Sequence, residues 1–521
     1  MIILIGSTSC TDLDEEVYDL LTEEKFYENF TEEDLVAALG SVYSDMRGVM
    51  AGQRIHVNGC WLYTASEVSD LWMTPKRGGA WYDGGTYFRL NQHIWETDHQ
   101  HFRGNWRTFY GGVNTCNRLI YQFEDQEFDD RDAVISEIRT ARAFWYYHLI
   151  DFFGNVPIET DYDVPEGYLP STNTRQEVYE FIVTELEESI PHLAERGYAR
   201  WNKYAAKHLL ARVYLNAEVW SGTPQWDKVI SLCDEIMASG NYSLDADYKT
   251  PFSEDNDAAS NELVLALVND ETYTPWGDAF HIHLWAHHWK FHFHRETETY
   301  YWGGYCAPPE FIDSYDEDDM RLDKTWIGGQ LYDNTGQNTG VVGAPLMCDP
   351  WNPRDAGKPL IYTKEIVFDP DGVTTGERDG YRIDKYEIPK GAKNSLSCDF
   401  PYFRYADVYF MKAEALYWKN NGQATQEIVD LINTVRSRAF VDFTGDNVLS
   451  VAELDDDRFL AEYAWEFASE GHRRQQLIRF GQFTSRTWIM KDQPSEDFRT
   501  LFPIPYEEVV ANPNLQQNPG Y

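Results

Sequence analysis

Apolar side chains recur at steps of three and four through much of this 521-residue chain, the spacing that gathers them on one helix face. In VISEIRTARAFWYYHLIDFFGNVPI the stripe is Val134, Ile138, Ala141, Trp145, Leu149 and Phe152, with Gly154 and Pro157 as stops. A helix near 175–190 is predicted to end before Pro191. NKYAAKHLLARVYLNAEVW carries Ala206, Leu210, Val213 and Ala217 on one face, and its small alanines permit close helix contact. DKVISLCDEIMASG runs to a stop at Gly240. ADVYFMKAEALYWKNNG (Val408, Met411, Ala415, Trp418) and ATQEIVDLINTVRSRA (Ile428, Leu431, Val435) form another pair. Near the start, Thr31 caps TEEDLVAALGSVYSDMRG with Asp34 three residues on. Helices paired by short joins predict a mostly α fold of stacked, tetratricopeptide-like helical hairpins.

The periodicity lapses over 241–400, where Gly, Pro, Asn and Asp are scattered, and again over 51–103. NELVLALV and GYRIDKYEI alternate as short strands do. The expected organisation is a helical part at 31–240, a loop-rich insert at 241–400 and a closing helical part at 401–521. Loops of this length in a folded chain usually carry function. No later stretch reaches the ~18 apolar residues of a membrane span.

Charge narrows the partners. With 86 acidic and 44 basic residues the net charge is −42, which disfavours nucleic acid and anionic lipid and suits a neutral or cationic ligand. The seven cysteines show no CxxC pairing, so buried free thiols are expected over a zinc ribbon or a disulfide framework. HExxH, GxSxG, a P-loop and a spaced GxGxxG are all absent. HIHLWAHHWKFHFH holds six of the 14 histidines (His281, His283, His287, His288, His292, His294), and His99 and His101 form a further H-x-H pair. In an extended strand such pairs put both imidazoles on one face, where they could hold a metal; no carboxylate or cysteine stands at a defined ligand spacing, so no metal or cofactor is assigned. Asp316 to Asp319 lack the EF-hand spacing and are expected to form a solvated turn.

Aromatic residues are more informative. Trp61, Trp72, Trp81, Tyr82, Trp95, Trp276, Trp285, Trp289, Tyr300, Tyr301 and Trp302 all fall in the irregular stretches, several beside Gly or Pro. Some are expected to pin the loops as small cores, and others to offer flat faces on which sugar rings stack.

Several motifs resemble those of SusD/RagB-like outer-membrane lipoproteins of Bacteroidetes. IRTARAFWYYHLIDFFGNVPI, WNKYAAKHLLARVYLNAE, FRYADVYFMKAEALYW followed by LINTVRSRA, and the closing LFPIPYEEVVANPNLQQNPGY carry the likeness over nearly the whole chain. AEYAWEFASEGHRRQQLIRFG matches at Glu462, Glu466, Glu470, Gly471, Arg473, Arg479 and Gly481, but has Tyr463 where arginine is usual and Gln476 where aspartate is usual. The motif is expected to be structural, its charges bracing helices. The resemblance implies eight helices in four hairpins, with the loop-rich part inserted between the third and fourth. It also implies a non-enzymatic surface protein that captures a glycan and delivers it to a SusC-like TonB-dependent transporter.

The family fixes no ligand residues by motif. Chemistry and place select Trp72, Arg77, Trp81, Tyr82 and Asp83 from the first irregular stretch, and Trp276, Trp285 and Trp302 from the second. Alternatives are the same fold binding peptide or another nutrient, and a metal-dependent enzyme built on the 281–294 histidines. In MIILIGSTSCTDLDEE, residues 1–9 resemble the end of a lipoprotein signal peptide, Cys10 the lipidated residue and 10–30 an acidic tether.

Overall fold

The computed structural model of the chain describes residues 31–50, 60–77, 83–124, 126–274, 280–371 and 375–521. Cys10, Trp81, Tyr82 and Trp276 lie outside them. The long helices are α1 (Glu32–Met50), α2 (Gln100–Glu124), α3 (Arg131–Phe153), α4 (Arg175–Ser189), α5 (Lys203–Leu215), α6 (Trp226–Ala238), α7 (Tyr405–Lys419), α8 (Gln426–Arg436) and α9 (Asp456–Phe467); the shorter α10 is Arg473–Arg479. Residues 42–521 form one compact unit. Inside it the long helices pack in chain order, α2 on α3, α3 on α4, α4 on α5 and α5 on α6. Across the long insert α6 packs on α7, and α7 on α8, which completes a stack of helical hairpins. None of the described helices is long and apolar enough to cross a membrane.

Side-chain caps set several starts. The Thr31 hydroxyl accepts from the Asp34 N–H at 3.3 Å. Thr174 and Glu177 form a capping box on α4, and Asn202 caps α5 through the N–H groups of Tyr204 and Ala205. The sequence pattern does not announce α2, whose interior holds Gly104, Gly111 and Gly112. Packing explains one of them: a Cβ on Gly112 would sit 2.0 Å from the Trp145 ring, so the glycine lets α2 press against α3.

The insert leaves and re-enters the helical stack at one point. Strand β1 (Leu263–Leu267) pairs antiparallel with β2 (Phe400–Arg404), and both are buried throughout. Between them lie short helices and strands of two residues, among them Trp326–Ile327 against Arg382–Ile383. NELVLALV thus supplies a full strand, and GYRIDKYEI only Arg382–Ile383. The six described cysteines are buried and free. The closing segment is a latch. Asn518 Nδ2 donates to the carbonyls of Phe153 and Phe502, both at 2.8 Å, and the Tyr521 hydroxyl accepts from Trp95 Nε1 at 2.6 Å.

Glu462, Glu466 and Glu470 brace the fold, as the sequence motif suggests. Arg404 bonds Glu470 at 2.8 Å and reaches Glu262 at 3.1 Å and Glu466 at 3.2 Å. Arg438 bridges Glu262 and Glu466, Arg436 bonds Glu462 at 2.6 Å, and Arg321 links Asp319 to Glu462. Lys385 bonds Glu470 at 2.6 Å and the carbonyls of Glu466 and Ala468. At the two departures, the Tyr463 hydroxyl donates to Glu414 at 2.6 Å, where Arg479 also binds, and Gln476 is buried. Asp316 pairs with Arg436 and Arg458, and Asp319 with Arg321, so these two acids of the expected solvated turn are ionic partners.

Removing one member of a buried ion pair strands its partner, at a cost of about 3–5 kcal/mol. Arg404→Met is expected to lose that much, measured by urea unfolding followed through tryptophan fluorescence. Burial alone would raise the Glu466 carboxyl, but Arg438, Arg404, Arg321 and Lys385 outweigh it and hold the group down to about 2. A carboxylate lowered in the folded state stabilises above its unfolded value, about 4.3, and loses that contribution as pH falls toward about 2. Stability should therefore drop across that window, and the drop should shrink in Glu466→Gln.

Candidate functional site

A cleft opens in the insert, lined by Arg77, His288, Trp289, Tyr301, Trp302, Gly303, Trp351, Glu377 and Arg382. Its wall is built locally. The chain at 302–304 folds back on the short helix Ile282–Ala286 and the turn after it: Trp302 N–H donates to Leu284 O at 2.8 Å, Gly303 N–H to His287 O at 2.7 Å and Gly304 N–H to Trp285 O at 2.7 Å. This sets Trp302 beside the 287–290 turn that carries Trp289. Asp349 orients Trp289 by accepting from its Nε1 at 2.6 Å, and Lys290 Nζ lies 2.7 Å from the same carboxylate. Trp351 follows two residues later and is 56% exposed. Three indoles thus share one opening, with polar groups between them, as a site for an amphipathic ring requires.

Of the expected site residues that the structure describes, Arg77 and Trp302 line this cleft. Trp72 and Trp285 require correction as ligand contacts. Trp72 is fully buried, stacks on Tyr305 with centroids 3.9 Å apart, and donates from Nε1 to Ser469 Oγ at 2.9 Å. Trp285 is also fully buried and meets Tyr63 edge-on at 5.5 Å. Both pin loops, and neither offers a face to solvent. Asp83 is exposed outside the cleft lining, opens the turn Asp83–Gly85 and accepts from the Tyr87 hydroxyl at 3.1 Å. Trp289, Trp351, Glu377 and Arg382 were missed. Trp289 was visible as one loop aromatic among many, whereas Trp351 stands alone between Pro350 and Asn352, and nothing local marks Glu377 or Arg382.

The histidine run does not form the extended H-x-H pairs considered above. His283 lies in the helix Ile282–Ala286, and His292 and His294 lie in the helix Phe291–Arg295, where residues two apart face different ways. The His287 ring stacks on Phe291 at 3.7 Å, and burial holds His283 down to about 3. One group among the described residues, His288 with Asp349 and Glu377, brings its ligand atoms within 4.8 Å of one another. Its proton placement does not suit a metal. The Lys290 N–H donates to His288 Nδ1 at 3.2 Å, so a neutral ring carries its proton on Nε2, the nitrogen 3.2 Å from Glu377 Oε2. An ion on Nε2 would have to displace that proton and the Lys290 N–H donor, and Lys290 already compensates Asp349. The trio is better suited to offering a donor and an acceptor at the foot of the cleft.

The helical hairpin stack with its loop-rich insert is a SusD-like fold. Two family models match separate parts of the chain, the SusD family over residues 297–521 and "Starch-binding associating with outer membrane" over residues 68–215. The chain is a SusD/RagB-like protein. It is 26% identical to the starch-binding protein SusD of Bacteroides thetaiotaomicron, over 85% of this chain and 82% of that one. A SusD-like protein of Formosa agariphila is 22% identical, spanning 100% of this chain and 98% of its own. Among solved structures, a SusD superfamily protein of Parabacteroides distasonis shares the fold with a TM-score of 0.72 at 18% identity, covering 95% of this chain and 100% of that one. Surface glycan-binding protein A of B. thetaiotaomicron, in complex with laminarihexaose, matches with a TM-score of 0.69 at 19% identity, over 94% of this chain and 100% of that one.

The two kinds of tryptophan should part on mutation. Trp72→Ala is expected to destabilise the protein by about 3–5 kcal/mol, and Trp351→Ala by no more than about 0.5 kcal/mol, in urea unfolding.

Proposed function

We propose that this protein is a non-enzymatic, cell-surface glycan-binding lipoprotein. It captures oligo- or polysaccharide in the cleft and passes it to a SusC-like TonB-dependent transporter in the outer membrane. The observation that carries this is the convergence of Trp289, Trp302 and Trp351 on one opening. Indole faces stack on the apolar faces of sugar rings, while His288, Glu377 and the guanidinium groups supply donors and acceptors for hydroxyls. The relatives named for starch or glycan binding support the ligand class.

Catalysis finds little support in the cleft. Glu377 in the lining and Asp349 behind it adjoin one imidazole on the same wall, at 3.2 Å and 3.7 Å, whereas glycoside hydrolysis needs two carboxyl groups flanking the scissile bond. The Asp349 N–H also holds Glu377 Oε2 at 2.9 Å, so the pair braces the wall. The anchor is assigned to Cys10, with residues 11–30 as a tether, on the resemblance to lipoproteins of this class. Mass spectrometry of membrane-extracted protein checks that assignment, and an unmodified Cys10 would refute it.

Affinity electrophoresis through gels containing single polysaccharides tests the ligand class. At least one polysaccharide should retard the full chain, and Trp302→Ala or Trp351→Ala should weaken that binding at least tenfold, about 1.4 kcal/mol. A protein retarded by no polysaccharide would sink the proposal.

A further inference from the structure

Among the described residues, buried arginines have carboxylate partners, with two exceptions. Arg404, Arg321, Arg436 and Arg474 are each 1% exposed or less and each forms an ion pair, and the same holds for every other buried arginine among the described residues except Arg77 and Arg382. Those two are 3% and 1% exposed, and both line the cleft. Arg77 donates to the carbonyls of Gly303, Gly304 and Asp379 and to the Cys306 sulfur. Arg382 donates to the carbonyls of Asp379, Gly380 and Glu377. Each keeps an Nε–H with no acceptor.

The two cations also crowd each other. Both donate to the Asp379 carbonyl, Arg77 at 3.0 Å and Arg382 at 2.6 Å, so their guanidiniums sit side by side. Burial, with the Arg77 charge adding to it, pulls Arg382 down to about 10. Nearby acids relieve this only in part: Asp379 acts on Arg382 more weakly than burial and the Arg77 charge do. The Asp379 carboxylate is taken by Arg354, and Glu377, the one carboxylate in the lining, accepts from the Asp349 N–H and adjoins His288. A buried guanidinium without a counter-ion is costly, and a planar fork with a free N–H matches a carboxylate or sulfate.

We propose that the ligand of this cleft is an anionic glycan, whose carboxylate or sulfate ester supplies the counter-ion that Arg77 and Arg382 lack. The inference rests on the cleft being the glycan site. It reverses the preference for neutral or cationic ligands that the net charge of −42 suggested, because two cations stand here against one carboxylate.

Isothermal titration of the full chain at low salt tests this with polygalacturonate and alginate for the carboxylate, chondroitin sulfate for the sulfate, and laminarin and carboxyl-reduced galacturonan as neutral probes. At least one acidic polymer should bind at least tenfold more tightly than the neutral ones. Carboxyl reduction should abolish a uronate preference without touching the protein. Trp351→Ala should weaken binding of the acidic polymer, placing it in the cleft, and Arg382→Lys should weaken it less than Arg382→Met. Neutral polymers that bind as well as the acidic ones, with the same loss in Trp351→Ala, would overturn the anionic preference and leave the glycan reading standing. Acidic polymers bound equally by Trp351→Ala would place the anion elsewhere and overturn the proposal. Binding of no polymer would overturn both.

Discussion

The structure depends on a buried cluster of charge where the helical stack meets the insert. Glu462 and Glu466 on α9, with Glu470 just beyond it, take Arg404 at the start of α7, Arg436 and Arg438 at the end of α8, and Arg321 and Lys385 from the insert. Well-packed apolar residues could fill the same space at no loss of stability, so such a cluster is not needed for its net energy. Its effect is geometric. Each acid accepts from arms on different parts of the chain, and a shifted arm would leave a charge buried and unpaired. The insert, whose few strands are mostly two residues long, gets its position from these bonds more than from sheet pairing.

That position reaches the cleft through few steps. Lys385 follows Arg382–Ile383 by two residues, and the Tyr386 hydroxyl donates to Ser469 O at 3.0 Å. Ser469 Oγ also holds Trp72, and Trp72 stacks on Tyr305 beside Cys306, the residue whose sulfur meets Arg77. The turn at 468–471 is thus a hub joining α9 to both arginines of the cleft. Gly471 is required there on two counts. Its φ is +80°, and a Cβ would lie 2.3 Å from the Trp61 ring. A rigid scaffold below and tryptophan faces above is what a binding surface needs, since groups held in place lose little entropy on binding.

The helical fold was legible in the sequence because its signal is local. Stripes at three and four mark α3, α5 and α7, Asn202 caps α5, and Gly154 stops α3, each signal lying within its own element. Helix α2 is not so marked, because the benefit of Gly112 lies on another helix, at Trp145. The site was half legible for the same reason. Ring chemistry and glycine-rich surroundings selected Trp302 and Arg77, but the same criteria selected Trp72 and Trp285, which are cores. Nothing along the chain separates an indole that pins a loop from one that faces out, since burial is decided by residues hundreds of positions away, such as Ser469 for Trp72. Arg382 and Glu377 acquire meaning only beside Arg77.

The overall charge and the local charge act over different ranges. A chain at −42 repels a polyanion at a distance, but at 0.1 M salt that field is screened beyond about 10 Å. Inside the cleft the dielectric is lower and screening weaker, so a contact with Arg77 and Arg382 counts for more than the same charges would on the surface. Approach is then slowed slightly, while departure is set by the desolvated contact, and related complexes differ in affinity mostly through departure. The surface charge also discourages loose adhesion of anionic polymers elsewhere on the protein. On the proposed reading, a glycan that remains bound would therefore be selected at the tryptophans and the paired guanidiniums, where ring shape and charge are tested together.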